Sequence, residues 1–132
     1  MRHVLAASPL CNGLLVPSST SPAAWHPAPE VLREAMREAV RAVGSEQAVA
    51  VAVAWSVRLA AGAGAGAGMG SMPVVVGMSN LREVHETVAA WRWANDQAKG
   101  RREELESKAA LAQAVFKRTG TAGWTWSSGN WG

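Results

Sequence analysis

The stretch Pro73-Val-Val-Val-Gly-Met-Ser-Asn80, followed by Leu81, Val84, Val88 and Trp91, decides the fold read from this sequence. Three β-branched residues in a row suit a short interior strand of a parallel sheet. The spacings of three, four and three that follow place apolar side chains on one face of a helix. Asn80, with Glu83 three residues on, forms a capping box that starts this helix. Strand, short turn and capped helix make one βα unit. Its helix N-terminus aims free backbone N–H groups beyond the strand's carboxyl end, a position that attracts phosphate.

A second strand is expected nearer the beginning, where His3-Val-Leu-Ala-Ala-Ser8 is an apolar run stopped by Pro9. If both strands lie parallel and adjacent, joined by a helical crossover, the Ser8-Pro9-Leu10 turn and the turn after Gly77 share one rim. Two such turns make a phosphate cradle. Between them, residues 11–29 are dense in Pro, Ser and Gly and read as a long surface loop. Pro29 and Glu30 suit the first turn of a helix. Val31, Leu32, Ala35, Met36, Ala39, Val40 and Val43 then form its apolar face, and Gly44 ends it. Ser45 is placed to cap a second helix towards Ala60. Val49, Val51 and Val53 alternate as in a strand, but the alanines between them favour a buried helix. Residues 61–72 read AGAGAGAGMGSM, a low-complexity stretch expected to be a flexible connector. Its strictly alternating glycines cannot supply the sixth place of a dinucleotide fingerprint. Residues 101–118 form a further helix with Leu105, Ala109, Ala112 and Phe116 on one face. Residues 120–132 are a Gly-, Ser- and Trp-rich tail.

Composition narrows the chemistry. The chain has 132 residues, enough for one domain, and 48% of them are hydrophobic, a share inflated by alanine. One cysteine excludes a disulfide framework and a multi-cysteine zinc site. The absence of tyrosine excludes a phenol as acid, base or nucleophile. A net charge of +3 comes from 13 basic and 10 acidic residues that are interspersed, so nucleic acid is not an expected partner. No secretory leader and no membrane span are read, and the expected location is cytoplasmic. His3, His26 and His85 lack metal-ligand spacing, and no metal is expected. Cys11 reads as an inert thiol, and Asp96 as a solvated charge. Trp25 and His26 suit either a substrate mouth or a loop plug. Trp124, Trp126 and Trp131 suit sugar stacking or, more commonly, packing of the tail.

The ordered series Ala7-Ser-Pro-Leu10 with Gly13-Leu-Leu15, Ala24-Trp-His-Pro27, and Val74-Val-Val-Gly-Met-Ser79 with Glu86 and Val88-Ala-Ala90 resembles the C-terminal third of aldo/keto reductases. The resemblance is strongest to fungal and plant sugar dehydrogenases that oxidise L-galactose or D-arabinose to lactones. It covers Val4 to about Trp93 without the Gly-Ala stretch, and Trp126-Ser-Ser-Gly-Asn130 is similar to the ending of fungal members. It implies an α/β fold: the C-terminal portion of a (β/α)8 TIM barrel, strands seven and eight with flanking helices. Residues 1–100 would form the partial barrel and 101–132 a C-terminal helix and tail.

The resemblance also implies a nicotinamide dinucleotide cofactor. Ser8, Leu10 and Asn12 would meet its pyrophosphate, Gly77, Met78 and Ser79 the adenosine phosphate, and Glu86 the adenine. Departures from the family pattern carry information. Ala7 stands where many members have an aromatic ring, Thr87 where they have asparagine, and Gly77 and Glu83 where NADP-preferring members have cations. Glu83 would repel a 2'-phosphate, so NAD is favoured over NADP unless Arg82 supplies the missing cation. The family's catalytic tyrosine, aspartate, lysine and histidine belong to the barrel's first half, so no catalytic residue is assigned and the chain is expected to be inactive alone. A sugar or small carbonyl would be the substrate of a full-length relative. Exposed barrel edges would favour self-association. A different class of reading is a small helical interaction module in which residues 30–43 and 101–118 pair with a partner. It predicts mainly helical structure and no strand at 73–77.

Overall fold

A computed structural model describes residues 6–11, 15–16, 26–65, 72–124 and 126. In chain order the elements are β1 (Ala6–Ala7), α1 (Glu30–Val43), α2 (Ala48–Ala65), β2 (Val74–Val75), α3 (Leu81–Asn95) and α4 (Lys99–Arg118).

Helix α1 forms where the sequence places it. Pro29 precedes it with φ −55°, Glu30 stands in the first turn and Arg41 in the last, so both ends complement the helix dipole. Its buried side is Leu32, Ala35, Met36, Ala39, Val40 and Val43. On the exposed side Arg37 reaches back to Glu30 at 2.7 Å and Glu34 at 2.6 Å, and Arg41 reaches Glu34 at 3.2 Å. These guanidinium contacts hold the Glu34 carboxyl below the usual carboxylate range. Gly44 ends the helix at φ +99°, donating its N–H to the Val40 carbonyl. The Gly44 carbonyl then accepts from Gln47 and Ala48, so backbone leads the chain into α2.

Helix α2 continues to Ala65. The connector expected over 61–72 is therefore corrected over its first five residues. Alanine at alternate positions supplies enough helix propensity to extend the preceding turns through Gly62. Met72 returns to this helix by donating its N–H to the Ala60 carbonyl at 3.1 Å.

The expected fold class is overturned. Most described residues are helical, and the helices pack on one another, α2 against α3 and α1 against α4, where a barrel would lay them on a sheet. β1 and β2 do pair in parallel, Ala6 with Val74 and Ala7 with Val75, but the ladder is two residues long on each strand. Such a short ladder cannot bury a barrel wall. The core instead lies between helices: Val40 and Val43 from α1, Val51, Val53 and Ala54 from α2, Ala90 from α3, and Leu105 and Ala109 from α4. The mainly helical structure that the helical alternative predicts is what is found, but two of its details are corrected. Val74–Val75 is a strand, and residues 30–43 and 101–118 pack mainly against each other inside this chain. α4 begins at Lys99, so the boundary expected at 100–101 falls within its first turn. Arg118 ties α4 to Glu38 of α1, and Arg58 of α2 bonds Glu106 of α4 at 3.1 Å. These are exposed pairs, and the packing between them carries more of the stability.

Beside α1, His26 is buried among Cys11, Ala28 and Trp126. Its Nδ1 accepts the Ala28 N–H at 3.1 Å, which leaves Nε2 to donate to the Cys11 carbonyl at 3.3 Å. The Trp126 ring lies tilted 5.4 Å from the imidazole. His26 is thus a loop plug, and burial pushes the neighbouring Cys11 thiol up from its ordinary value.

Candidate functional site

The parallel pairing of Ala7 with Val75 sends Ser8 and the 76–79 segment off the same end of the ladder. Ser8 stands at φ +56° and Cys11 at φ +52°, left-handed positions in a turn closed by the Cys11 N–H on the Ser8 carbonyl at 2.9 Å. Leu10 packs against the helical core, and Asn12 lies outside the described residues. Gly77, Met78 and Ser79 are exposed, and Glu86 is exposed and paired with Arg82 at 3.0 Å.

The capping box forms as its pattern requires. Asn80 Oδ1 accepts the Glu83 N–H at 3.0 Å, and Glu83 reaches back one residue further than a usual box. The Glu83 carboxylate accepts from the Ser79 backbone N–H at 2.6 Å, the Ser79 hydroxyl at 3.0 Å and Asn80 Nδ2 at 2.8 Å. These bonds, chiefly that from the Ser79 N–H, hold the Glu83 carboxyl below its ordinary value. The Ser79 N–H and hydroxyl, which a phosphate at this turn would use, already serve an anion belonging to the helix.

The rest of α3 is unusual in its orientation. Its buried residue is Ala90, flanked on the inward side by the partly buried Thr87, Trp93 and Ala94. At 100° per residue, Leu81, Val84, Val88 and Trp91 occupy the opposite side. Their exposures are 70%, 37%, 41% and 54%. Leu81, Val84, Val88 and Trp91 therefore face solvent, while Ala90, with the half-buried Trp93 and Ala94, faces the core. No charged side chain interrupts the stripe. Arg82 and Glu86 pair away from it, on the flank nearer Ala90, and Arg92 and His85 form one rim of the stripe. The 3-4-3 spacing was visible in the sequence, but a stripe of this kind ordinarily points inward, and only the packing of α2 on Ala90 shows otherwise.

A second feature carries no sequence motif. Facing alanines on α1, α2 and α4 leave a cavity of about 190 Å³, walled by Ala39, Val40, Ala52, Trp55, Ala112 and Phe116 among others. The signal that finds it is volume: alanine at facing positions of packed helices fills less space than the helices enclose.

Comparison with protein-family models, with curated proteins and with solved structures finds no match for this chain. Among the described residues no helix is long and apolar enough to cross a membrane, and no three His, Cys, Asp or Glu side chains gather into a metal-binding group.

Proposed function

We propose that this chain is a small helical assembly module, and that the outward stripe of α3 docks on the same stripe of a second copy. The dinucleotide role implied by the family resemblance draws no support from this arrangement, because the Ser79 donors serve Glu83 and Leu10 packs inward. The observation that carries the assembly reading is the exposure of Leu81, Val84, Val88 and Trp91 along one face of a well-capped helix. Together they present roughly 400 Å² of surface, within the range of the largest apolar patch on a typical monomer, which is often functional.

Self-pairing follows from the spacing. The intervals three, four and three read the same in both directions, so a two-fold axis near residue 86 matches the stripe to itself in antiparallel register. Each Val84 then meets a Val88 and each Leu81 meets a Trp91, filling large against medium side chains along the seam. Antiparallel helices also oppose their dipoles favourably. Two stripes bury roughly 800 Å² in total, below a standard interface, so the association is expected in the micromolar range and depends on concentration.

Sedimentation equilibrium of the full chain across that range tests the reading. A monomer–dimer equilibrium abolished by Val88→Glu, with unchanged helical circular dichroism, is the expected result. A monomer at every concentration, or a dimer indifferent to Val88→Glu, refutes it.

A further inference from the structure

We infer that the cavity between α1, α2 and α4 is a binding site for a small neutral aromatic molecule carrying one hydrogen-bonding group, such as a phenol. The site is separate from the docking face, because no residue of α3 lines it. Its volume, about 190 Å³, exceeds the roughly 150 Å³ of an apolar cavity that accepts benzene. A single ring with one small substituent is therefore the ligand that fits.

The chemistry of the walls narrows the class. No charged residue lines the cavity, which is open to solvent on one side, so a carboxylate or ammonium seated against its apolar wall would shed part of its hydration without a counter-charge. Trp55 of α2 and Phe116 of α4 supply aromatic surface for edge or offset contact with a ring. Two uncharged polar side chains stand at its solvent edge, the half-buried Ser56 of α2 and the exposed Gln113 of α4. Neither makes a side-chain hydrogen bond to another described residue. A hydroxyl on the ligand gives them a partner, whereas a wholly apolar ring leaves them to water. An aliphatic chain of equal volume would fit less well, since it pays more conformational entropy to fill a short space.

The test is titration of the purified full chain with phenol, toluene and benzoate, read by tryptophan fluorescence and by the shift in melting temperature. Saturable binding of phenol, weaker binding of toluene and none of benzoate are expected. Ala112→Leu occupies the cavity and should weaken phenol by about tenfold or more while keeping or raising the melting temperature. Ala52→Leu, on the α2 wall, repeats the block should the first variant fail to fold. Ser56→Ala should lower phenol affinity by about threefold to tenfold, the net effect of one hydrogen bond, and leave toluene unchanged. Absence of saturable phenol binding, equal binding of benzoate, or undiminished binding in the folded leucine variants overturns the inference. None of these readouts depends on self-association, so the Val88→Glu protein should bind phenol as the parent does.

Discussion

Replacing Leu105 by alanine tests the helical core where its geometry is least ambiguous. Leu105 is fully enclosed, among Val53 and Ala54 of α2 and Ala90 of α3, whereas Leu111 on the same helix is 46% exposed. Truncating an enclosed leucine removes its transfer free energy and leaves a void that rigid helices close only in part, a cost of about 3 kcal/mol. For a domain whose whole stability is about 5–15 kcal/mol, that is a large fraction. Leu111→Ala removes the same atoms from a side chain already in water and should stay within about 0.5 kcal/mol. Urea unfolding followed by circular dichroism at 222 nm separates the two through their midpoints at a common slope. Equal midpoints for both variants would mean that α4 is not docked through Leu105, and the packing described above would be wrong.

Other perturbations read the loops and caps. Glu83→Gln removes an exposed carboxylate whose pKa is lower in the folded chain than in the unfolded one. Its stabilisation is therefore present above the ordinary carboxylate range and fades as pH falls through the folded value. The difference in urea midpoint between parent and variant should shrink in acid, and a pH-independent difference would contradict the capping role. His26→Phe keeps a ring against Trp126 but strips the acceptor from the Ala28 N–H, and should cost about 1–3 kcal/mol in the same assay. A neutral result would remove the loop plug from the account. Gly44→Ala meets nothing within 4 Å, so any loss, expected at about 1–3 kcal/mol, comes from holding a side-chain-bearing residue at φ +99°.

Local features were more legible than global ones. The periodicity of residues 31–43 names the buried face of α1 from Leu32 to Val43 but wrongly includes Val31, which is 57% exposed in the first turn. Asn80 and Glu83 announce the start of α3 because a cap is a contact within four residues. The Val74–Val75 strand and its parallel partner were legible too. The barrel was implied by the family resemblance and not by these strands, since a β-branched run reports local preference and says nothing of how many neighbours a strand will find. The reach of α2 across Gly62 shows alanine's helix propensity outweighing the backbone entropy of the alternating glycines, a balance that the glycine pattern conceals. α3 is the sharpest case. Periodicity separates its two faces, yet the face that packs inward is chosen by α2, which accepts the small Ala90 and turns Leu81, Val84, Val88 and Trp91 outward. The predicted site residues divide in the same way. Ser8 and Ser79 leave one end of the ladder as their order suggests, but Ser79 is engaged by Glu83, a contact decided by side-chain geometry.

The antiparallel α3 pairing is tested most directly by placing a single cysteine beside its two-fold axis. In a Cys11→Ser background, His85→Cys puts the two thiols about two residues, or 3 Å, apart along the helix axis, while Leu81→Cys puts them about ten residues, or 15 Å, apart. Mild oxidation should therefore link His85→Cys faster than Leu81→Cys, because the axial offset at Leu81 alone is about twice the roughly 7 Å that a disulfide spans between Cα atoms. Linking of Leu81→Cys as fast as, or faster than, His85→Cys would contradict the antiparallel pair, and no linking at either would leave the stripe without the partner assigned to it.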